Sequence, residues 1–168
     1  MDGPRVVDLV EHLRSRGVGV WLDGGWAVDS LLGEQTRPHD DLDVVVPLED
    51  CPRLVAALAA HGYAVARGGP PQSFELVDAE GHQLDVHPFA RTPTGDGVYR
   101  LENGGDWIYP AAGFAGAGLV EGRAVPCLTP EVVLVNHATG YALDVAHRRD
   151  VEALAARYGL PLPAFETA

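Results

Sequence analysis

The chain predicts an α/β (α+β) fold: a mixed twisted sheet with flanking helices and a short helical C-terminus. Three observations carry this. Over the first ninety residues, stretches with helical periodicity alternate with short apolar or alternating stretches. The order reads αβαβαβββ, which is the pattern of a mixed sheet with helices on one side. After about residue 129 only helical periodicity remains. With 168 residues, 46% of them hydrophobic, the chain can bury a proper core in one unit over 1–168, with its core at about 1–128 and the helical part at 129–168.

Each element has its own justification. Residues 4–16 place Val6, Val7, Leu9, Val10 and Leu13 on one side of a helix, which Gly17 and Gly19 end. Val18–Leu22 is a short apolar strand. Asp23-Gly24-Gly25 is a turn, and 26–32 is a helix stopped by Gly33. Glu34–His39 is a polar loop, and 41–46 alternates as a strand ended by Pro47. Pro52 suits the first turn of a helix over roughly 50–60. Tyr63–Ala66 is a short strand. Phe74–Val77 and His82–Val86 are strands joined through Asp78-Ala79-Glu80-Gly81, a hairpin signal. Residues 91–126 are rich in turns, with short strands near 98–101 and 122–126. Helices follow over 130–140 and about 144–158.

Composition excludes several function classes. A net charge of −12 opposes a nucleic-acid partner, which needs clustered positive charge, and suits a small cationic substrate. No apolar run approaches a membrane span, and the N-terminus lacks the layout of a signal peptide, so a cytoplasmic protein is expected. Cys51 and Cys127 have no metal spacing and read as free thiols. All twelve basic side chains are arginine. Without lysine there is no lysyl-nucleotide intermediate and no lysine-dependent phosphate loop. Any nucleotide phosphate must be held by backbone amides, arginine, hydroxyls and metal ions.

Three groups of residues carry chemistry. Asp41 and Asp43, at i and i+2 of a strand, project from one face, while Leu42, Val44 and Val46 point into a core. Two carboxylates roughly 7 Å apart along a strand repel one another, a conflict that a divalent cation resolves. Taken alone, the pair is more often two solvated aspartates. Gly24 and Gly25 at a strand-to-helix turn can present backbone amides to a phosphate, or simply make the turn. Asp85 shares a strand face with Gln83 and His87, where it can ligate a metal and accept a proton, or sit at the surface. Arg37 can act as a fork donor to triphosphate or brace Asp40 or Asp41. His39 can bond near a metal or fix its loop. His137 and Tyr141, four apart on a helix, share a face that lines an acceptor pocket or packs on the core. Trp107 and Tyr109 are candidate walls for an acceptor or an adenine ring, and Glu102, Glu121, Asp144 and Asp150 are candidate contacts for a cation.

Together, Gly-Gly, an apolar-flanked Asp-x-Asp and a later strand aspartate resemble the DNA polymerase β-like nucleotidyltransferases. Trp21-Leu22-Asp23-Gly24-Gly25-Trp26-Ala27-Val28-Asp29, followed by Arg37-x-His39-x-Asp41-Leu42-Asp43, is similar to the antibiotic nucleotidyltransferases. Leu84-Asp85-Val86-His87-Pro88, Val125-Pro126-Cys127-Leu128 and His137-Ala138-Thr139-Gly140-Tyr141 resemble the small lincosamide nucleotidyltransferases, from about residue 20 to 155. The aminoglycoside 2″-nucleotidyltransferases share the first block.

The resemblance implies transfer of AMP from ATP, or from another NTP, to a hydroxyl of a small cationic antibiotic. It implies two Mg²⁺ ions on Asp41, Asp43 and Asp85, with Asp85 as base, and Gly24 and Gly25 at the phosphates with Arg37 nearby. A lincosamide is the expected acceptor and an aminoglycoside the alternative. A protein-adenylylating toxin–antitoxin enzyme and a non-catalytic nucleotide-binding module are readings from other classes. The oligomeric state is left as monomer or homodimer.

Overall fold

The computed structural model describes residues 1–101, 103–139 and 145–162. Helix α1 (Gly3–Ser15) opens on Asp2, whose carboxylate accepts the Arg5 amide, and it buries the five apolar residues named above. Strand β1 (Trp21–Leu22) is shorter than expected, because only these two residues pair with β2. Helix α2 (Gly24–Leu32) begins two residues early, so the glycines form its first turn rather than a separate loop; Gly33 caps it in the left-handed region. Strand β2 (Asp41–Pro47) leads through a short 3₁₀ turn into α3 (Cys51–Ala59). Strands β3 (Ala64–Gly68), β4 (Phe74–Val77) and β5 (Gln83–Arg91) complete the first half.

The sheet order is β1-β2-β5-β4-β3. β2 and β5 are parallel neighbours, while β4 pairs antiparallel with both β3 and β5. β5 runs on through Pro88 to Arg91, beyond the His82–Val86 strand expected from the sequence. Pairing with β4 ends at Val86, and β6 (Gly97–Arg100) takes over that edge from Ala90, so no β4 ladder partner is needed at the proline.

β7 (Asp106–Tyr109) pairs with β6, and a 3₁₀ turn over Ala111–Ala115 folds back toward the sheet. β8 (Ala117–Val120) and β9 (Arg123–Pro126) form a separate hairpin against α2. Gly118 permits this approach: a Cβ there would lie 2.5 Å from the Ser30 carbonyl oxygen. Helices α4 (Pro130–Thr139) and α5 (Val145–Tyr158) pack on each other and on α2.

One continuous hydrophobic cluster runs from Val6 through Leu42, Val44, Leu84 and Val86 to Val133 and Leu154. Cys51 and Cys127 are buried free thiols; burial pushes both up to about 11. Among the described residues, no helix is long and apolar enough to cross a membrane.

Candidate active site

The parallel register of β2 and β5 places Asp43 directly beside Asp85, and Asp41 beside Gln83. Alternation then sets Asp41, Asp43, Gln83, Asp85 and His87 on one face. On the other face Leu42, Val44, Leu84 and Val86 are buried. The carboxylate row extends one strand further, because Glu75 of β4 lies opposite Asp85. Glu75 is tied to Arg67, which supplies its counter-charge.

These carboxylates oppose one another. Burial, together with the charges of Asp43 and Asp41, pushes Asp85 up to about 6, against a hydrogen bond from the Gln83 carboxamide. Asp41 is raised for the same reasons, burial first and then Asp43. Asp43 accepts a hydrogen bond from His87 Nε2 at 3.3 Å. Burial of the His87 imidazole favours its neutral form, but that bond and the charges of Asp43, Asp23 and Asp85 prevail and raise its pKa.

An all-oxygen set of mutually repelling carboxylates is the donor chemistry that a hard divalent cation takes, and the residues present fit one. The oxygens of the three aspartates are not drawn tightly together. Among the described residues, one trio of potential ligands has donor atoms within 4.8 Å of one another: Asp78, Glu80 and His82. There Arg5 already supplies positive charge, at 2.7 Å from Asp78 and 2.9 Å from Glu80. Asp78 and Glu80 border a groove of about 930 Å³ whose lining includes none of the carboxylate-face residues.

The two glycines serve a purpose that the sequence did not disclose. Gly24 has φ +57°, and a Cβ on it would lie 2.0 Å from Asp43 Oδ2. A Cβ on Gly25 would lie 2.5 Å from the His39 ring and 2.7 Å from the Arg37 guanidinium. Their missing side chains therefore make room for Asp43, His39 and Arg37, whether or not a phosphate also approaches.

His39 fixes its loop. It is buried, bonds Asp29 Oδ2 at 2.5 Å and packs its ring against Trp26; Thr36 Oγ1 donates to the other oxygen of Asp29. Arg37 braces neither Asp40 nor Asp41. Its guanidinium donates to Asp150 on α5 at 3.2 Å, which also removes Asp150 from the candidate cation contacts.

A pocket of about 200 Å³ adjoins this face, lined by Asp23, His87, Tyr99, Trp107, Tyr109 and Asn136, with Leu101 beside them. Trp107 and Tyr109 both line this pocket. His137 does not line this pocket. It is 1% exposed, with Nδ1 4.0 Å from Asp150 and its ring against His147, and its neighbour Asn136 takes the pocket position instead. One residue along a helix turns a side chain by about 100°, enough to exchange a pocket wall for the interior. Tyr141, Glu102 and Asp144 lie outside the described residues.

Sequence reasoning also missed Asp23 and Asn136. Asp23 stands at the N-cap position of α2 without a side-chain capping bond, and is only 3% exposed. Its amide donates to the Asp43 carbonyl, and both of its carboxylate oxygens accept from Asn136 Nδ2, at 3.1 and 2.8 Å. Burial and the charge of Asp43 raise its pKa, while His87 and Asn136 oppose the rise. Trp107 Nε1 donates to Asn136 Oδ1 at 3.2 Å. The signal available in the sequence was an aspartate directly before the glycine pair; its partner lies 113 residues away.

The model of the aminoglycoside-2″-adenylyltransferase family matches residues 5–154. A lincosamide resistance protein of Staphylococcus haemolyticus is 31% identical over 149 residues, covering 89% of each chain. A 2″-aminoglycoside nucleotidyltransferase of Klebsiella pneumoniae is 30% identical over 122 residues, 73% of this chain and 64% of that one. Among solved structures, the lincosamide antibiotic adenylyltransferase LnuA with lincomycin bound superposes with a TM-score of 0.74 at 30% identity, covering 90% of this chain and 93% of that one. ANT(2″)-Ia in complex with adenylyl-2″-tobramycin shares the fold, with a TM-score of 0.71 at 21% identity over 92% of this chain and 88% of that one.

Proposed function

The chain belongs to the aminoglycoside-2″-adenylyltransferase family and is an antibiotic nucleotidyltransferase, and on that premise we propose that it transfers AMP from Mg-ATP to a hydroxyl of a lincosamide-type drug. The observation that carries the reading is the pairing of Asp43 with Asp85 across parallel strands, with Asp41 on the same face. Asp41, Asp43 and Asp85 are the residues that would hold Mg²⁺, two ions in this reading. Bound there, the metal supplies charge neutralisation for the triphosphate and the leaving pyrophosphate.

The chain's own residues do the rest. Asp85 accepts the proton of the attacking hydroxyl as its oxygen bonds to the α-phosphorus and the bond to pyrophosphate breaks. The first-turn amides of α2, at Gly24 and Gly25, face the phosphates. Arg37 reaches the same turn, beside Gly25, and can serve phosphate while anchored on Asp150. Trp107, Tyr99 and Asn136 position the acceptor. The protein works as a monomer or homodimer, without nucleic acid or membrane, in the cytoplasm.

A second acceptor class is favoured by two observations: the family model is an aminoglycoside one, and the net charge of −12 attracts polycations. Incubation with Mg-ATP, and with each other NTP, against a panel of lincosamides and aminoglycosides, read by mass spectrometry, separates the two. The expected product is an AMP adduct of a lincosamide. An adduct on aminoglycosides alone reassigns the acceptor, and no adduct with any nucleotide removes the antibiotic reading.

A further inference from the structure

The pocket beside the carboxylates has a feature that nucleotidyl transfer itself does not require. Asp23 is buried in its wall, yet its carboxylate is met by a neutral carboxamide, that of Asn136, rather than by a guanidinium. A buried carboxylate whose hydrogen bonds come from a carboxamide and not from a cation favours any ligand that brings one. Tyr99, Trp107 and Tyr109 also line it, with His87 and Leu101, and aromatic rings are favourable neighbours for a cation. Asn136 joins the two components, clamping Asp23 through Nδ2 and accepting the Trp107 indole N–H on Oδ1. His87 lies close enough for its charge to act on Asp23, but its hydrogen bond goes to Asp43. At about 200 Å³ the space is below the ~300–1,000 Å³ of a whole drug site, and it suits one compact ring.

We propose that this pocket is an ammonium-recognition subsite, with Asp23 as counter-ion and Tyr99 and Trp107 as aromatic walls, seating a single protonated amine of the acceptor. The assignment of that amine to the acceptor rests on the antibiotic-transferase reading; the affinity for an alkylammonium group does not.

The test uses neither nucleotide nor drug, so its outcome is separate from that of the mass-spectrometric assay. The Trp107 indole resonance, assigned among three tryptophans by Trp107→Phe, is followed while the full chain is titrated with N-methylpyrrolidinium or with neutral N-acetylpyrrolidine. The cation is expected to half-saturate the shift at a concentration at least about tenfold lower than the neutral compound, and Asp23→Asn to abolish the difference. Equal responses to the two compounds, or an unchanged preference in Asp23→Asn, overturn the proposal. Where Asp23→Asn does not fold, Tyr99→Leu carries the test while leaving Asp23 and the reporter in place. A loss of about threefold for the cation alone supports the subsite, and an equal change for both compounds overturns it.

Discussion

The strand pair β2–β5 and the segment from β6 to α4 meet at the same site but are held by different forces. On β2 and β5, backbone pairing sets the position of each carboxylate, and the buried residues Leu42, Val44, Leu84 and Val86 lock the face. From β6 to α4, side chains do the positioning. Phe114 stacks on Phe89 with centroids 4.7 Å apart and meets Trp21 edge-on at 5.1 Å, fixing the 3₁₀ turn against the sheet. Asn136 ties Trp107 to Asp23 across 29 and 113 residues of chain. The chemical half is therefore stiff and periodic. The half from β6 to α4 is assembled from long-range side-chain contacts.

Substitutions in the two halves should separate cleanly. The largest effect is expected for Asp43→Asn, which leaves the fold intact and lowers turnover by about 10³-fold, some 4 kcal/mol in the barrier. Mg²⁺ should raise the melting temperature of the parent protein and leave that of this variant unchanged, as read by differential scanning fluorimetry. A variant that still responds to Mg²⁺ would remove Asp43 from the ligand set. Next is Asn136→Leu, which strips Asp23 of its partner; chemical denaturation should show a loss of about 3 kcal/mol, and a loss below about 1 kcal/mol would mean that the clamp is unimportant.

Gly24→Ala forces a side chain into the left-handed region and against Asp43. A stability loss of about 1–3 kcal/mol is expected, together with a fall in kcat that Gly33→Ala, with φ +80° but open space around its Cβ, does not share. Equal kcat in the two alanine variants would show that the approach to Asp43 does not matter. The smallest effect is expected for Trp107→Phe, which keeps a ring but loses the bond to Asn136. Steady-state kinetics should show acceptor KM rising by about fivefold, roughly 1 kcal/mol, with kcat little changed, and a change confined to kcat would move Trp107 out of the acceptor site.

Legibility in the sequence follows the same division. Asp41, Asp43 and Asp85 could be read from strand alternation, because period 2 fixes which side chains share a face. Their adjacency needed only that the two strands be neighbours, which the register of Asp43 with Asp85 supplies. The early start of α2, and the use of Gly24 and Gly25 to admit Asp43 and His39, could not be read, because a glycine is silent about what fills its missing side chain. Arg37 was open between phosphate and a local brace, and its partner proved to be Asp150, 113 residues on. His137 is open in the sequence between an acceptor pocket and the core, and in the fold it is buried. β7 and β8 went unread because four-residue strands among glycines carry too little periodicity.

Asp85, on the β2–β5 carboxylate face, is the proposed proton acceptor. Its most direct test is single-turnover transfer to lincomycin by Asp85→Asn under saturating Mg-ATP, followed by mass spectrometry, with nucleotide affinity measured in parallel. ATP should bind within a few-fold of its affinity for the parent protein, and adduct should form about 10²–10⁴ times more slowly. Adduct formation at the parent rate would remove Asp85 as the proton acceptor.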